Sequence, residues 1–244
     1  MVDKPFRPET RPVQRVTAPL REHRAEICVV GSGISGVSAA IEAARLGRRV
    51  ILIDGLPALG GQAVNSIIGM IVGLFGNPPG NKQLTHGIAD DILRDLGAAG
   101  DAHLVMGGAS LNVLYNEVAL GRWVERTVLG LKITPLVGAI LRHVHLDGRR
   151  IAALELATRY GDVLVRADGF VDATGDAAVV WQAGLECQEP EGAIYGSQMM
   201  VIENFDESRK PSREELSVRF GAPVNTIKTW LRRSLLEIRE CLGQ

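Results

Sequence analysis

The sequence predicts an α/β fold in which a parallel sheet is joined to an antiparallel three-stranded β-meander. Three observations predict it. A short apolar strand, a glycine turn, an alanine-rich helical stretch and a second apolar strand follow one another between Glu26 and Asp54. From Lys132 the hydrophobic period shifts towards two, and turn residues separate three alternating runs. A further strand, Gly169-Phe170-Val171-Asp172, then leads into Ala173-Thr174-Gly175-Asp176.

The first of these is a Rossmann-like dinucleotide-binding unit, because its parts occur in the order that such a unit needs. In Gly31-Ser32-Gly33-Ile34-Ser35-Gly36, Gly31 lets the chain turn sharply out of the strand. Gly33, lacking a Cβ, admits a pyrophosphate against the backbone, and Gly36 lets helix and strand approach. Free N–H groups and the dipole of the helix then face the phosphates, an attraction of about 0.3–1 kcal/mol for an exposed charge. Asp54 ends the second strand, where its carboxylate can accept both ribose hydroxyls and would repel a 2′-phosphate. The bland alternative is a glycine turn that serves packing alone.

Further along, Ile88, Ile92 and Leu96 recur at four-residue intervals and predict a helix over Gln83–Leu96, after the loop Gly76-Asn77-Pro78-Pro79-Gly80. Val118, Leu120, Trp123, Val124 and Val128 supply the apolar positions of a second helix over Asn116–Leu129. The meander is a run from Lys132 to Leu146, a turn at Asp147-Gly148, a run from Ile151 to Thr158, a turn at Tyr160-Gly161-Asp162 and a run from Val163 to Ala167. Ile227, Trp230, Leu231, Leu235, Ile238 and Leu242 make one apolar face of a last helix over Thr226–Leu242.

Bulk properties narrow the function. At 244 residues the chain can bury one good core. A formal net charge of −1 gives no general attraction to nucleic acid or an anionic membrane. Cys28, Cys187 and Cys241 stand far apart, with no Cys-x-x-Cys pair, which points to a reducing, cytoplasmic setting. Residues 1–24 are rich in Arg, Pro and Thr, lack the apolar stretch of a secretory signal, and read as a flexible arm. The most apolar run, Ser66 to Phe75, is interrupted by Gly69 and Gly73 and too short to span a bilayer. It reads as a buried loop or short helix near the nucleotide.

Two more segments sharpen the reading. Gly60-Gly61-Gln62 begins six residues after Asp54, and Val171-Asp172-Ala173-Thr174-Gly175-Asp176 is followed by Ala177-Ala178 and then Gly184. With the glycine turn and the interposed meander, these segments resemble the FAD-dependent oxidoreductase family, whose FAD-binding domain is of the glutathione-reductase type. The resemblance covers roughly residues 25–204 and implies FAD as cofactor. It implies that Gly31, Gly33, Ile34, Ser35 and Gly36 bind the pyrophosphate and that Asp54 binds the adenosine ribose. Gly60, Gly61 and Gln62 would pass along the ribityl chain, and Leu141, aligned through the Asp147-Gly148 turn, would offer backbone hydrogen bonds to adenine. Ala173, Thr174 and Gly175 would line the adenosine and pyrophosphate side, with Asp176 nearby. Asp176 also suits the N-cap of a helix from Ala177 onwards, a compatible role.

The sequence departs from the family in one large respect. Its members continue through a substrate domain and back to a C-terminal glycine-rich stretch that touches the flavin, whereas this chain reaches Gln244 soon after Ile194-Tyr195-Gly196-Ser197-Gln198-Met199-Met200, where that domain begins. The resemblance therefore implies a second polypeptide that supplies the substrate domain and the remaining flavin contacts, or else a fragment. Residues 205–244 then form a helical segment whose apolar face docks a partner or packs on its own domain.

The expected function is an FAD-binding subunit of a heteromeric flavin-dependent oxidoreductase acting on a small molecule. An NAD-dependent dehydrogenase and a non-catalytic FAD-holding subunit are the alternatives. His143 and His145 share a strand face, yet an exposed polar face of the meander explains them better than a metal site. His86 reads as a surface or capping histidine near a helix start, and Ser35 lacks the hydrolase elbow. Core packing accounts for Trp123, Trp181 and Trp230, while the resemblance implies that Tyr195 and Gln198 point towards the substrate side.

Overall fold

A computed structural model of the chain describes residues 20–77, 79–107, 110–188, 192 and 212–227. The chain divides into two compact units, residues 1–199 and 200–244. The elements of the first are β1 (Arg21–Val30), α1 (Ile34–Arg45), β2 (Val50–Asp54), α2 (Gln62–Asn65), β3 (Met70–Ile71), α3 (Ile88–Ala99), β4 (Ala102–Gly107), β5 (Ser110–Tyr115), α4 (Glu117–Gly130), β6 (Thr134–Val137), β7 (Ile140–Asp147), β8 (Arg150–Thr158), β9 (Gly161–Asp172) and α5 (Ala178–Gln182). The second carries α6 (Arg213–Phe220), held at its start by a reciprocal capping box between Ser212 and Glu215. The helix expected over Thr226–Leu242 lies largely outside the described residues, as do Tyr195, Gln198, Trp230 and Cys241.

One six-stranded sheet, in the order β6-β2-β1-β9-β8-β7, organises the first unit. β6, β2, β1 and β9 run parallel, and β9, β8 and β7 continue the same sheet antiparallel. The meander is therefore an extension of the parallel sheet, with β9 belonging to both parts. Glycines at 161 and 169 do not divide that strand, since it pairs with β1 from Val163 to Asp172.

Near-continuous apolar runs in β1 and β2 follow from burial on both faces. Val29, Val50 and Leu52 point into a core shared with α1, α3 and α4, whereas Cys28, Val30, Ile51 and Ile53 enter a second core with Val144, Leu154, Leu156 and Val165. Val144 of β7 shares this core with Ile51 and Ile53 of β2 although the two strands stand four places apart in the sheet. The meander thus curls back over the parallel strands, and helices cover the opposite face. Burial pushes the Cys28 thiol up to about 12, so it stays protonated and inert at neutral pH.

α1 packs through Gly36, Val37, Ala40 and Ile41, small enough to bring it close to the sheet. α4 buries Leu120, Trp123, Val124 and Val128, as its spacing predicts. Val118, assigned to the same face, is instead exposed in the first turn. The Asn116 side chain caps α4, its Oδ1 accepting from the N–H groups of Val118 (3.0 Å) and Ala119 (3.2 Å).

Other expectations are corrected by tertiary pairing. The run from Lys132 splits into β6 and β7 at Gly138, because β6 joins β2 while β7 joins β8. α3 starts at Ile88, five residues after Gln83, where Asp90 accepts from the Gly87 N–H at 2.9 Å. Arg21 to Arg24, read as part of the arm, pair with Val163 to Arg166. Ser66–Phe75 is not a buried loop: Ile67, Met70 and Val72 are exposed, and Met70–Ile71 forms the edge of a separate three-stranded antiparallel sheet, β3-β5-β4, absent from the sequence reading. Trp181 is exposed, not core, while Trp123 is buried with its Nε1 donating to Asp95 at 2.8 Å. Among the described residues no helix is long and apolar enough to cross a membrane.

Because Asn116 satisfies two helix-start donors, Asn116→Ala should cost about 1 kcal/mol. Urea unfolding at neutral pH measures it, with the slope of the transition unchanged.

Candidate dinucleotide site

Three loops meet at the carboxyl ends of β1, β2 and β9. The first leaves β1 at Gly31, whose φ is +97°. A Cβ there would overlap the Ala173 carbonyl, so the β1 and β9 exits touch through backbone alone. A Cβ on Gly36 would overlap the Gly31 carbonyl and lie 3.1 Å from the Ala173 Cβ. Ala173 N–H donates to the Val30 carbonyl at 2.8 Å, closing the contact.

The second loop follows β2. Asp54 Oδ2 accepts from both the N–H and the hydroxyl of Ser32, each at 2.6 Å, and Oδ1 accepts from the Leu56 N–H at 2.8 Å. Three of its roughly four acceptor positions are thus taken within the chain, which leaves one open. Ser32 is completely buried and was missed from the sequence, where it is only the spacer between two glycines. Gly60 donates to the Ser32 carbonyl at 2.8 Å and bridges to Gly33, and a Cβ on Gly61 would lie 2.7 Å from the Gly33 Cα. Gln62 is exposed at the start of α2. Gly60, Gly61 and the glycine turn are therefore one backbone surface.

The third loop follows β9 and hangs on Asp172. Its Oδ1 accepts from the N–H (3.1 Å) and hydroxyl (2.7 Å) of Thr174, and its Oδ2 from the N–H groups of Val179 (2.9 Å) and Val180 (3.1 Å). Thr174 Oγ1 in turn accepts from Ala178 N–H at 2.9 Å. Burial pushes the Asp172 carboxyl up, but the hydrogen bonds from Thr174, Val180 and Val179 outweigh it and hold the group below its ordinary range. Asp172, not Asp176, thus satisfies the start of α5. Asp176 is exposed, and the residue before the helix is Ala177, with φ +53°. An acid closing an otherwise apolar strand, with Thr two residues on, is the signal that could have found it.

Between these loops, a Cβ on Gly33 would meet nothing within 4 Å. α1 begins there with no side-chain cap and no acid in its first turn, while Ile34 and Ser35 are exposed. Open space beside uncapped helix N–H groups fits a diphosphate. Leu141 stands apart from this convergence, on β7, where its carbonyl accepts from Gln182 Nε2 at 3.4 Å. The β6–β7 joint approaches Asp54 through Ala139 N–H, which donates to the Asp54 carbonyl at 2.9 Å.

Histidines lie elsewhere. His143 and His145 stack edge to face with centroids 4.6 Å apart, and His145 Nε2 is 3.4 Å from Glu155 Oε2. Among the described residues no group of three or more His, Cys, Asp or Glu has metal-binding geometry. His86 Nδ1 lies 3.3 Å from Asp90 Oδ1.

Loops at the carboxyl ends of parallel strands, closed around an open glycine, define a dinucleotide-binding protein. Residues 26–233 match the family described as FAD dependent oxidoreductase, and the chain belongs to that family. Its cofactor is accordingly FAD. It is similar to the protein named probable fumarate reductase Ifc3 of Shewanella frigidimarina, with 35% identity over 81 residues that make 33% of this chain and 13% of that protein. Among solved structures it is similar to THI4 of Thermovibrio ammonificans (20% identity, 67% of this chain, 64% of that chain, TM-score 0.49). It is also similar to 3-ketosteroid-Δ4-(5α)-dehydrogenase of Rhodococcus jostii (18%, 67%, 48%, TM-score 0.48). The chain thus spans less than two thirds of each of these proteins.

Asp172→Asn leaves a donor facing two donors, at a cost of about 2 kcal/mol. Because the folded pKa is lowered, the wild type's advantage is present at neutral pH and fades as pH falls through that lowered value. Urea unfolding of both proteins from pH 7 downwards checks this. A gap that stays constant into strong acid contradicts it.

Proposed function

We propose that the chain is the FAD-binding part of a flavin-dependent oxidoreductase acting on a small molecule, with the substrate domain and the remaining flavin contacts supplied by a second polypeptide. The observation that carries the binding assignment is the open face of Gly33 at the uncapped start of α1, walled by Gly60-Gly61 and by the Ala173–Gly175 turn. Gly31 to Gly36 would hold the pyrophosphate through backbone N–H groups. Asp54 would take one ribose hydroxyl, Gly60 to Gln62 would follow the ribityl chain, and Leu141 would offer its backbone to adenine. Ala173, Thr174 and Gly175 would close the pyrophosphate side, with Asp176 free to face it.

FAD supplies a two-electron acceptor or donor, and the protein's share is to bind, orient and tune it. In this chain, Asp54 and Asp172 carry out the orienting by fixing the loops before a ligand arrives. The name of the Shewanella relative supports redox chemistry on a small molecule. Residues 205–244, with their apolar sequence stripe, are the proposed docking segment for that second polypeptide. Free thiols at Cys28 and Cys187 support a cytoplasmic location.

Gly33→Val tests the assignment selectively. Gly33 has φ −62° and ψ 175°, which valine adopts, and its Cβ direction is open, so the variant should melt like the wild type. Its side chain would fill the diphosphate's place, and FAD affinity should fall by at least about a hundredfold, or 2.7 kcal/mol. Flavin-fluorescence quenching and calorimetry measure it. Wild-type affinity in a folded Gly33→Val protein overturns the placement of the nucleotide.

A further inference from the structure

Two cavities lie beside the site, of about 300 and 400 Å³, and both are lined by Ile34, Ile71 and Ile92. They adjoin through these three side chains. Ile34 is the residue after Gly33, and Ala63, which lines the smaller cavity, follows Gln62. The pair therefore runs from the cofactor loops to the start of α3. Volumes of this size, lined by hydrocarbon with a few polar groups, are those of small-molecule sites.

The charges of the lining select among ligands. Among the described residues, no Lys or Arg lines either cavity. The lining acid, Glu42, is paired with Arg45 at 2.9 Å. A carboxylate seated against these walls would meet no cation of this chain in exchange for the water it gives up. Ser38, on α1 one turn beyond Ile34, and the adjacent pair Thr85 and His86 bring hydrogen-bonding groups to the wall of the larger cavity. Tyr115 in the smaller cavity has no donor to spare, because its hydroxyl donates to the Ala63 carbonyl at 2.8 Å, and it can only accept. Met70 and Val72 on the wall are 37% and 60% exposed, hydrocarbon that the chain itself leaves uncovered.

We propose that these joined cavities bind the substrate, and that it is an uncharged, mainly hydrocarbon small molecule with one hydroxyl or carbonyl directed towards Thr85 and His86. This rests on the flavin reading above for its role as substrate. It departs from the dicarboxylate chemistry that the name of the Shewanella relative suggests. No residue of the cavity wall beyond Ile34 belongs to the nucleotide loops, so the two sites are separable by mutation.

The test titrates the full chain, loaded with FAD, with the uncharged fluorophore N-phenyl-1-naphthylamine, with and without excess succinate. Saturable binding of one probe per chain is expected, indifferent to succinate. Leu93→Trp, which fills the larger cavity, should weaken it at least tenfold with FAD affinity unchanged. Val72→Arg, at an exposed position that tolerates any side chain, should weaken it as well and so guards against a folding failure of the first variant. Absence of saturable binding, displacement by succinate, or wild-type affinity in both folded variants overturns the proposal. So does a dimer in sedimentation velocity that excludes the probe, because a second copy then covers the cavity. FAD titrations on the same samples separate the two readings. Intact FAD binding without probe binding overturns the cavity proposal alone, and probe binding without FAD binding overturns the flavin reading and with it the role as substrate.

Discussion

The Gly31 carbonyl occupies the space that a Cβ at position 36 would need, and the Ala173 carbonyl occupies the space that a Cβ at position 31 would need. This backbone-to-backbone contact between the exits of β1 and β9 and the start of α1 is the constraint on which the site depends. It draws the parallel strands and the first helix to a distance that side chains would forbid. It also leaves the N–H groups of α1 facing outward next to Gly33, which has room in front of it. One steric condition thus positions the helix dipole and keeps open the space in front of Gly33.

Two carboxylates convert that contact into fixed loops. Asp54 gathers Ser32 and Leu56 at the end of β2, and Asp172 gathers Thr174, Val179 and Val180 at the end of β9. Each receives N–H donors that a turn would otherwise leave without partners. Hydrogen bonds to an ionised acceptor are the stronger kind, so the loops hold their shape before any ligand arrives. Preorganisation of this sort lowers the ordering cost of binding. Asp54 keeps one acceptor position to spare beyond its bonds to Ser32 and Leu56.

Much of this was legible in the sequence. Val29 and Leu52 on one side and Cys28 and Ile53 on the other follow from apolar runs that are too continuous for a one-faced strand. Leu120, Trp123, Val124 and Val128 follow from helical spacing, and the glycine turn, Gly60-Gly61 and Ala173-Thr174-Gly175 do meet. The misses share a cause. Met70–Ile71 is too short for any periodic signal, and it is a strand only because β5 pairs with it. The run from Lys132 reads as one strand because a change of partner strand at Gly138 carries no hydrophobic mark. Asp176 looked like the cap because it is nearest to the helix in sequence, yet Asp172 is nearest in space.

By itself the sequence determined the strand, glycine turn, helix and second strand from Glu26 to Asp54, the helix through Leu120, Trp123, Val124 and Val128, and the turns of the meander, because those properties depend on local sterics and periodicity. The family follows from the order of three motifs along the chain. Only the tertiary structure decided that the meander prolongs the parallel sheet and folds back over it, that Ser32 and Asp172 are the side chains fixing the loops, and that a cavity whose described lining has no cation adjoins Ile34. These depend on which chain segments face one another across long sequence separations, and hydrogen bonds such as Ser32 to Asp54 leave no trace in either segment alone.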